Sequence, residues 1–204
     1  MAGMTMTQPT PIADVPQTCA WALGDPLMQA YHDREWGVPV RDPRLLWEML
    51  ILEGFQAGLS WRTILHRRDG FRRAFDGFDP TLVATYGPDK VEALMQDGGI
   101  IRARAKIEAT IGNARALLRM VAAGEDFADF IWGHVGGQPL VGDGTTVPAS
   151  TPISLALSKA LKAKGFKFVG AVTVYAFMQA VGMANDHGRD CPQRAICMES
   201  QYCG

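Results

Sequence analysis

Four times in the first half of the chain a proline paired with an aspartate opens a segment that a glycine closes. These are "DPLMQAYHDREWG" from Asp25, "DPRLLWEMLILEG" from Asp42, "DPTLVATYG" from Asp79 and "PDKVEALMQDGG" from Pro88. An aspartate ahead of a helix accepts hydrogen bonds from its free N–H groups, and a proline at the first helical position surrenders no donor the helix needs. Glycine ends such a helix because it enters the left-handed region without strain. The next segment, "ARAKIEATIGNARALLRMVAAGE", repeats Ile107, Ile111, Ala114, Leu118 and Val121 at helical spacing. Alternation at period two is nearly absent, so the chain reads as all-α.

The segment after Asp42 carries Leu45, Leu46, Trp47, Met49, Leu50, Ile51 and Leu52. It has almost no polar face, which marks a helix buried all round. A Gly/Pro/Thr-rich loop from Gly136 to Pro152 is a boundary, a hinge or a surface loop. Beyond it lie two more helical stretches, "SLALSKALKAKGFKFVG" and "AVTVYAFMQAVGM", and no internal repeat is visible. At 204 residues the chain makes one compact unit, with or without two lobes. Residues 1–18 carry no basic start, apolar run or cleavage pattern, and no apolar run elsewhere is long enough to span a membrane. A soluble cytoplasmic protein with a flexible leader and no membrane partner is expected.

The four cysteines, at 19, 191, 197 and 203, are too uneven for a disulfide framework. Cys19 lies near His32, and His187 near Cys191, which at a separation of four would share one side of a helical turn. Two cysteines and two histidines make a closed tetrahedral zinc set by type. The spacing is not that of a zinc finger, so these residues read equally as small buried hydrophobes and ordinary polar side chains. Cys197 and Cys203 are competing ligands or part of an unstructured tail.

In "LILEGFQAGLSW", Glu53 terminates a helix with no other polar residue after Glu48, and Gly54 and Gly58 break it into a loop that Trp61 ends. A carboxylate emerging from such an apolar wall has a raised pKa or meets a positive partner, unless it is simply a solvated helix end. Taken together, Tyr31, Glu53 and Trp61 offer two electron-rich faces and an anion, which suits a planar cation. A net charge of −1 means that a nucleic-acid partner would have to be met by a local basic face. Candidates are Arg62, Arg67, Arg68, Arg72 and Arg73, then Arg102, Arg104, Lys106, Lys159, Lys162, Lys164 and Lys167. Such runs are commonly solvated surface, but the turn around Gly165 leads to a helix N-terminus at Gly170 whose free N–H groups suit a phosphate.

These blocks, from "CAWALGDPLMQAYHDREWGVP" to the final "HGRDC", resemble the 3-methyladenine DNA glycosylase I family over about Cys19 to Cys191. The resemblance implies a helix-hairpin-helix-type bundle with a zinc-binding module. On this reading 1–18 is a flexible leader, 19–191 the glycosylase domain with the zinc-binding module formed by both ends, and 192–204 a C-terminal tail. It implies Cys19, His32, His187 and Cys191 as ligands of a structural zinc, Glu53 and Tyr31 as base-recognition residues with Glu53 catalytic, and Trp61 as the stacking face. Trp21 and Trp36 match aromatic positions near the pocket, and Leu59 the side chain that enters the DNA stack. Lys164, Gly165, Lys167 and Gly170 fall on the DNA-binding hairpin. The implied partner is double-stranded DNA containing alkylated adenine, bound by a monomer in a bacterial cytoplasm. The hairpin departs from the Gly-x-Gly turn and the downstream catalytic Asp of related glycosylases.

Overall fold

A computed structural model describes residues 18–199, and the expected leader up to residue 17 and Cys203 lie outside those residues. The Asp–Pro starts act as anticipated. Helix α1 (Pro26–Arg34), α2 (Pro43–Gln56) and α5 (Pro80–Val83) begin after Asp25, Asp42 and Asp79, whose carboxylates accept from backbone N–H groups in the first turn. Each such cap contributes about 1 kcal/mol. Between α2 and α5 lie α3 (Trp61–Leu65) and α4 (Arg68–Ala74), and then come α6 (Pro88–Gln96), α7 (Arg104–Ala122) and α8 (Phe127–Trp132).

Thr151 and Ser154 form a reciprocal capping box at the head of α9 (Pro152–Ala163), which a short turn joins to α10 (Ala171–Ala180). Helix α2 is the central element, with Leu46, Trp47, Leu50 and Leu52 essentially inaccessible. It packs against α3, α7 and α10. Among the described residues no helix is long and apolar enough to cross a membrane.

Three features depart from expectation. Helix α2 does not stop at Glu53 but runs to Gln56, because Gly54 is packed against Phe168 and serves as a close-contact residue rather than a breaker. The 136–152 loop is not a boundary: Leu140–Val141 (β1) pairs in parallel with Ala184–Asn185 (β2), a two-stranded exception to the all-α pattern. The described part of the expected tail is a helix, α11 (Pro192–Glu199), whose Cys197 is buried.

The end of α10 is tied to the segment after α1. Gly37 donates to the Gln179 carbonyl and Val40 to the Val181 carbonyl, both at 3.0 Å. Gly182, at φ +72, sits so close that an added Cβ would lie 2.4 Å from Pro39 N. Strain at positive φ and a backbone collision act together here, so Gly182→Ala is expected to cost about 2–4 kcal/mol, measurable by urea unfolding.

Candidate active site

The last turn of α1 places Tyr31 and His32 on adjacent, diverging faces, and both are buried. His32 turns toward the C-terminal segment. There the ligand atoms of Cys19, His32, His187 and Cys191 all lie within 4.8 Å of one another. Cys191 Sγ is 3.5 Å from His32 Nε2 and 3.6 Å from His187 Nδ1, and Cys19 Sγ is 3.8 Å from His187 Nδ1. Tetrahedral zinc with its usual bond lengths separates a sulfur from a nitrogen ligand by about 3.6 Å.

The two outward-facing histidine nitrogens are also engaged. His32 Nδ1 is 2.7 Å from Asp33 Oδ1 and His187 Nε2 is 3.0 Å from the Trp36 carbonyl. Such partners fix the tautomer so that His32 Nε2 and His187 Nδ1 present lone pairs inward. Burial pushes His187 down to about 4, which keeps it neutral near pH 7. His187 and Cys191 converge from a loop rather than from the helical turn anticipated for them. Cys197 does not join them, for its Sγ lies 3.7 Å from His187 Nε2, on the ring's outer side. The donor set therefore fits a tetrahedral metal of the zinc type.

Tyr31 faces a cavity of about 450 Å³ whose walls include Trp21, Trp36, Glu53, Trp61 and Asp186. Trp36 serves both sites: its ring packs edge-on against His187 at 4.6 Å and against Trp21 at 5.0 Å. Tyr31 and Trp61 are 5.2 Å apart, and Trp21, 39% exposed, stands over Tyr31 at 6.3 Å. Trp61 is held at the start of α3 by Ser60, whose hydroxyl accepts from Thr63 N–H.

Glu53 projects from the third turn of α2, and its Oε2 is buried with no hydrogen-bond partner. The Trp61 Nε1 donor is likewise buried and unpaired. Orphaned polar atoms of this kind are uncommon in folded proteins and call for a ligand or water. Burial raises the Glu53 carboxyl to about 8, the first of the three outcomes open to it, and no positive partner meets it. Burial, reinforced by Glu53, also raises the Tyr31 phenol well above its ordinary range.

Other cavity residues went unanticipated. Gln56 lies one turn beyond Glu53 on α2, a helical periodicity that could have revealed it. Gln179 and Asp186 come from α10 and from the residue after β2, and Thr145 and Thr146 from the 136–152 loop. Only Asp186, adjacent to His187, had any neighbour to draw attention to it.

The basic residues are largely engaged within the protein. Arg62 pairs with Asp25, Arg68 with Glu35, Arg72 with Glu48, and Arg104 with Glu92. Lys164, expected on the DNA face, is held by Glu125 at 2.6 Å, while Lys106 donates to the Phe55 and Ala57 carbonyls beyond Glu53. Among the described residues Arg73, Arg102, Lys159, Lys162 and Lys167 have no ion-pair partner, and all five are exposed. The α9–α10 turn is fixed by Asn113, which accepts from Lys167 N–H and donates to its carbonyl. Gly165 takes φ +97 there, and no side chain caps α10 at Gly170. Leu59 stands 42% exposed between Gly58 and Ser60.

Residues 21–195 match the family described as methyladenine glycosylase. The chain is 54% identical over 178 residues to DNA-3-methyladenine glycosylase 1 of Escherichia coli, covering 86% of this chain and 95% of that protein. It is 48% identical over 177 residues to the DNA-3-methyladenine glycosylase of Haemophilus influenzae, covering 85% and 96%. Among solved structures, a crystal structure of 3-methyladenine DNA glycosylase I superposes with a TM-score of 0.85 at 53% identity, covering 86% of this chain and 98% of the other. The Staphylococcus aureus enzyme, described in terms of its 3-methyladenine recognition, gives 0.83 at 36% identity, covering 87% and 96%. With the cavity, its buried carboxylate and the flanking Cys/His cluster in place, these matches show that the chain belongs to the methyladenine glycosylase family.

Proposed function

We propose that the cavity receives an alkylated adenine flipped out of duplex DNA, with Trp61, Tyr31 and Glu53 as its recognition surface. As a member of its family the protein excises 3-methyladenine from alkylated DNA by hydrolysing the N-glycosidic bond, which opens base excision repair. The observation that carries the site assignment is the unpaired, buried Glu53 carboxyl beside an electron-rich ring pair. An adenine methylated at N3 is planar and cationic while attached to the sugar. Stacking on Trp61 contributes roughly 1–3 kcal/mol for any base, but only the cation gains from Glu53. Tyr31 hydrogen-bonds the base edge, and Trp21 and Trp36 close the aromatic enclosure.

Extruding the base costs a few kcal/mol, less for a damaged one. Leu59, exposed at a loop tip beside the cavity-lining Trp61, occupies the vacated space in the stack. The α9–α10 turn is a helix-hairpin-helix element. Its Gly165 and the free N–H groups after Gly170 hold a phosphate, with Lys167 supplying charge, and Lys164 acts indirectly by fixing the turn through Glu125. Residues 19–191 form the glycosylase domain, closed by both ends of the chain and acting as a monomer, with α11 packed onto it. Cys19, His32, His187 and Cys191 would hold a structural zinc. Zinc supplies crosslinking there, and four protein donors leave no position for an activated water.

Release of free 3-methyladenine from methylated duplex DNA, separated by chromatography, tests the reading, and binding without release would refute it. Leu59→Ala is expected to keep excision from single-stranded methylated DNA but to lower it roughly tenfold or more on duplex, since only the duplex leaves a gap to fill. Equal loss on both substrates would remove Leu59 from that role.

A further inference from the structure

The cavity is lined by two carboxylates, and the recognition role uses only Glu53. Asp186 is 6% exposed. Its Oδ2 accepts from the Tyr175 hydroxyl at 2.6 Å and from Gln179 Nε2 at 2.7 Å. Oδ1 accepts a hydrogen bond from none of the described residues, and the residue lines the cavity. The backbone makes room for this oxygen: a Cβ added to Gly142 would lie 2.2 Å from Oδ1. Gly142 is itself pinned by its N–H to the Asn185 carbonyl and by Arg194 on its own carbonyl. A carboxylate in the wall of a ligand cavity, anchored through one oxygen and with no donor from the described residues on the other, can orient something small.

We propose that Asp186 is a catalytic residue that orients the attacking water through Oδ1. This rests on the glycosylase reading. The chemistry leaves one task unfilled on the entering side. When the C1′–N9 bond breaks, its electron pair passes to a base that is already cationic, so the base departs neutral and needs no acid. Water must form the C1′–O bond and lose one proton, which passes to solvent along the hydrogen bond to Oδ1. The same negative charge stabilises the positive charge that develops on the sugar. Glu53 then reads the base while Asp186 serves the sugar side, two carboxylates separated in role by their surroundings.

The test is single-turnover excision of 3-methyladenine by Asp186→Asn, an isosteric change that keeps a partner for Tyr175. The excision rate is expected to fall about 100-fold or more. Affinity for free 3-methyladenine should stay within twofold of the unaltered protein, and the metal content should be unchanged. Tyr175→Phe, which frees Oδ2 from one anchor, should lower the rate by a smaller factor with the same binding. A rate for Asp186→Asn within threefold of the unaltered protein would overturn the proposal. A loss of rate matched by loss of base affinity or of metal would overturn it too, by showing a structural role at the neighbouring His187. Failure of the unaltered protein to release base would instead sink the underlying glycosylase reading.

Discussion

Glu53→Gln is expected to excise 3-methyladenine about 10- to 100-fold more slowly while binding undamaged duplex as before. A hydrogen bond to an ionised group contributes about 1.5–3 kcal/mol, and the neutral amide forfeits the part that depends on charge. The pH dependence makes this more specific. In the empty cavity burial holds the carboxyl at about 8, so near pH 7 the free protein carries it mostly protonated. A cationic base favours the ionised form, and its binding therefore expels a proton. Affinity for a cationic lesion analogue should rise by up to about tenfold per pH unit toward pH 8 and then level off, and Glu53→Gln should flatten that slope.

Stability carries the opposite sign. Below pH 4.5 the group is protonated in both folded and unfolded chains. Between 4.5 and about 8 only the unfolded chain ionises, so the carboxyl progressively destabilises the fold as pH rises, by an amount on the order of 5 kcal/mol above pH 8. Glu53→Gln should therefore melt higher than the unaltered protein at pH 8.5 and no higher at pH 4. A variant that excises normally, or that is less stable at pH 8.5, would refute this account of the residue.

The largest expected effect on stability is at the Cys/His cluster. Cys19→Ser, or exhaustive chelation, is expected to lower the melting temperature by about 10 °C or more, because the binding free energy of a structural metal is folding free energy and each kcal/mol shifts a chain of this size by about 2–4 °C. Metal analysis should give one zinc per chain before and well below one after. At saturating substrate and a temperature where the variant stays folded, the chemical step should change little. A Cys19→Ser protein with full zinc occupancy and an unchanged melting temperature would remove the residue from the ligand set.

How much of this was legible follows from where each signal lies along the chain. The Asp–Pro helix starts are local, and they read correctly because the capping carboxylate and the N–H groups it satisfies are within three residues of one another. The end of α2 was misread because glycine breaks an exposed helix, whereas Gly54 is covered by Phe168 from another part of the chain. The basic stretch from Arg62 to Arg72 looked like a phosphate-binding surface because its acidic partners, Asp25, Glu35 and Glu48, are remote in sequence. The grouping of Tyr31, Glu53 and Trp61 was anticipated because aromatic and acidic types are few in apolar segments. The threonines of the 136–152 loop were not, since their only distinction is the cavity that tertiary packing creates, and Asp186 had only its place beside His187 to mark it.

Cys191 lies 159 residues after His32, yet the two side chains belong to one cluster that shares Trp36 with the cavity wall. During synthesis the first half of that cluster leaves the ribosome long before the second exists. The pocket wall therefore cannot be completed on the nascent chain until His187 and Cys191 have been made. Any product that stops before His187 would carry Trp61 and Glu53 without the wall that encloses them, so a truncated chain could not compete with the finished protein for damaged bases.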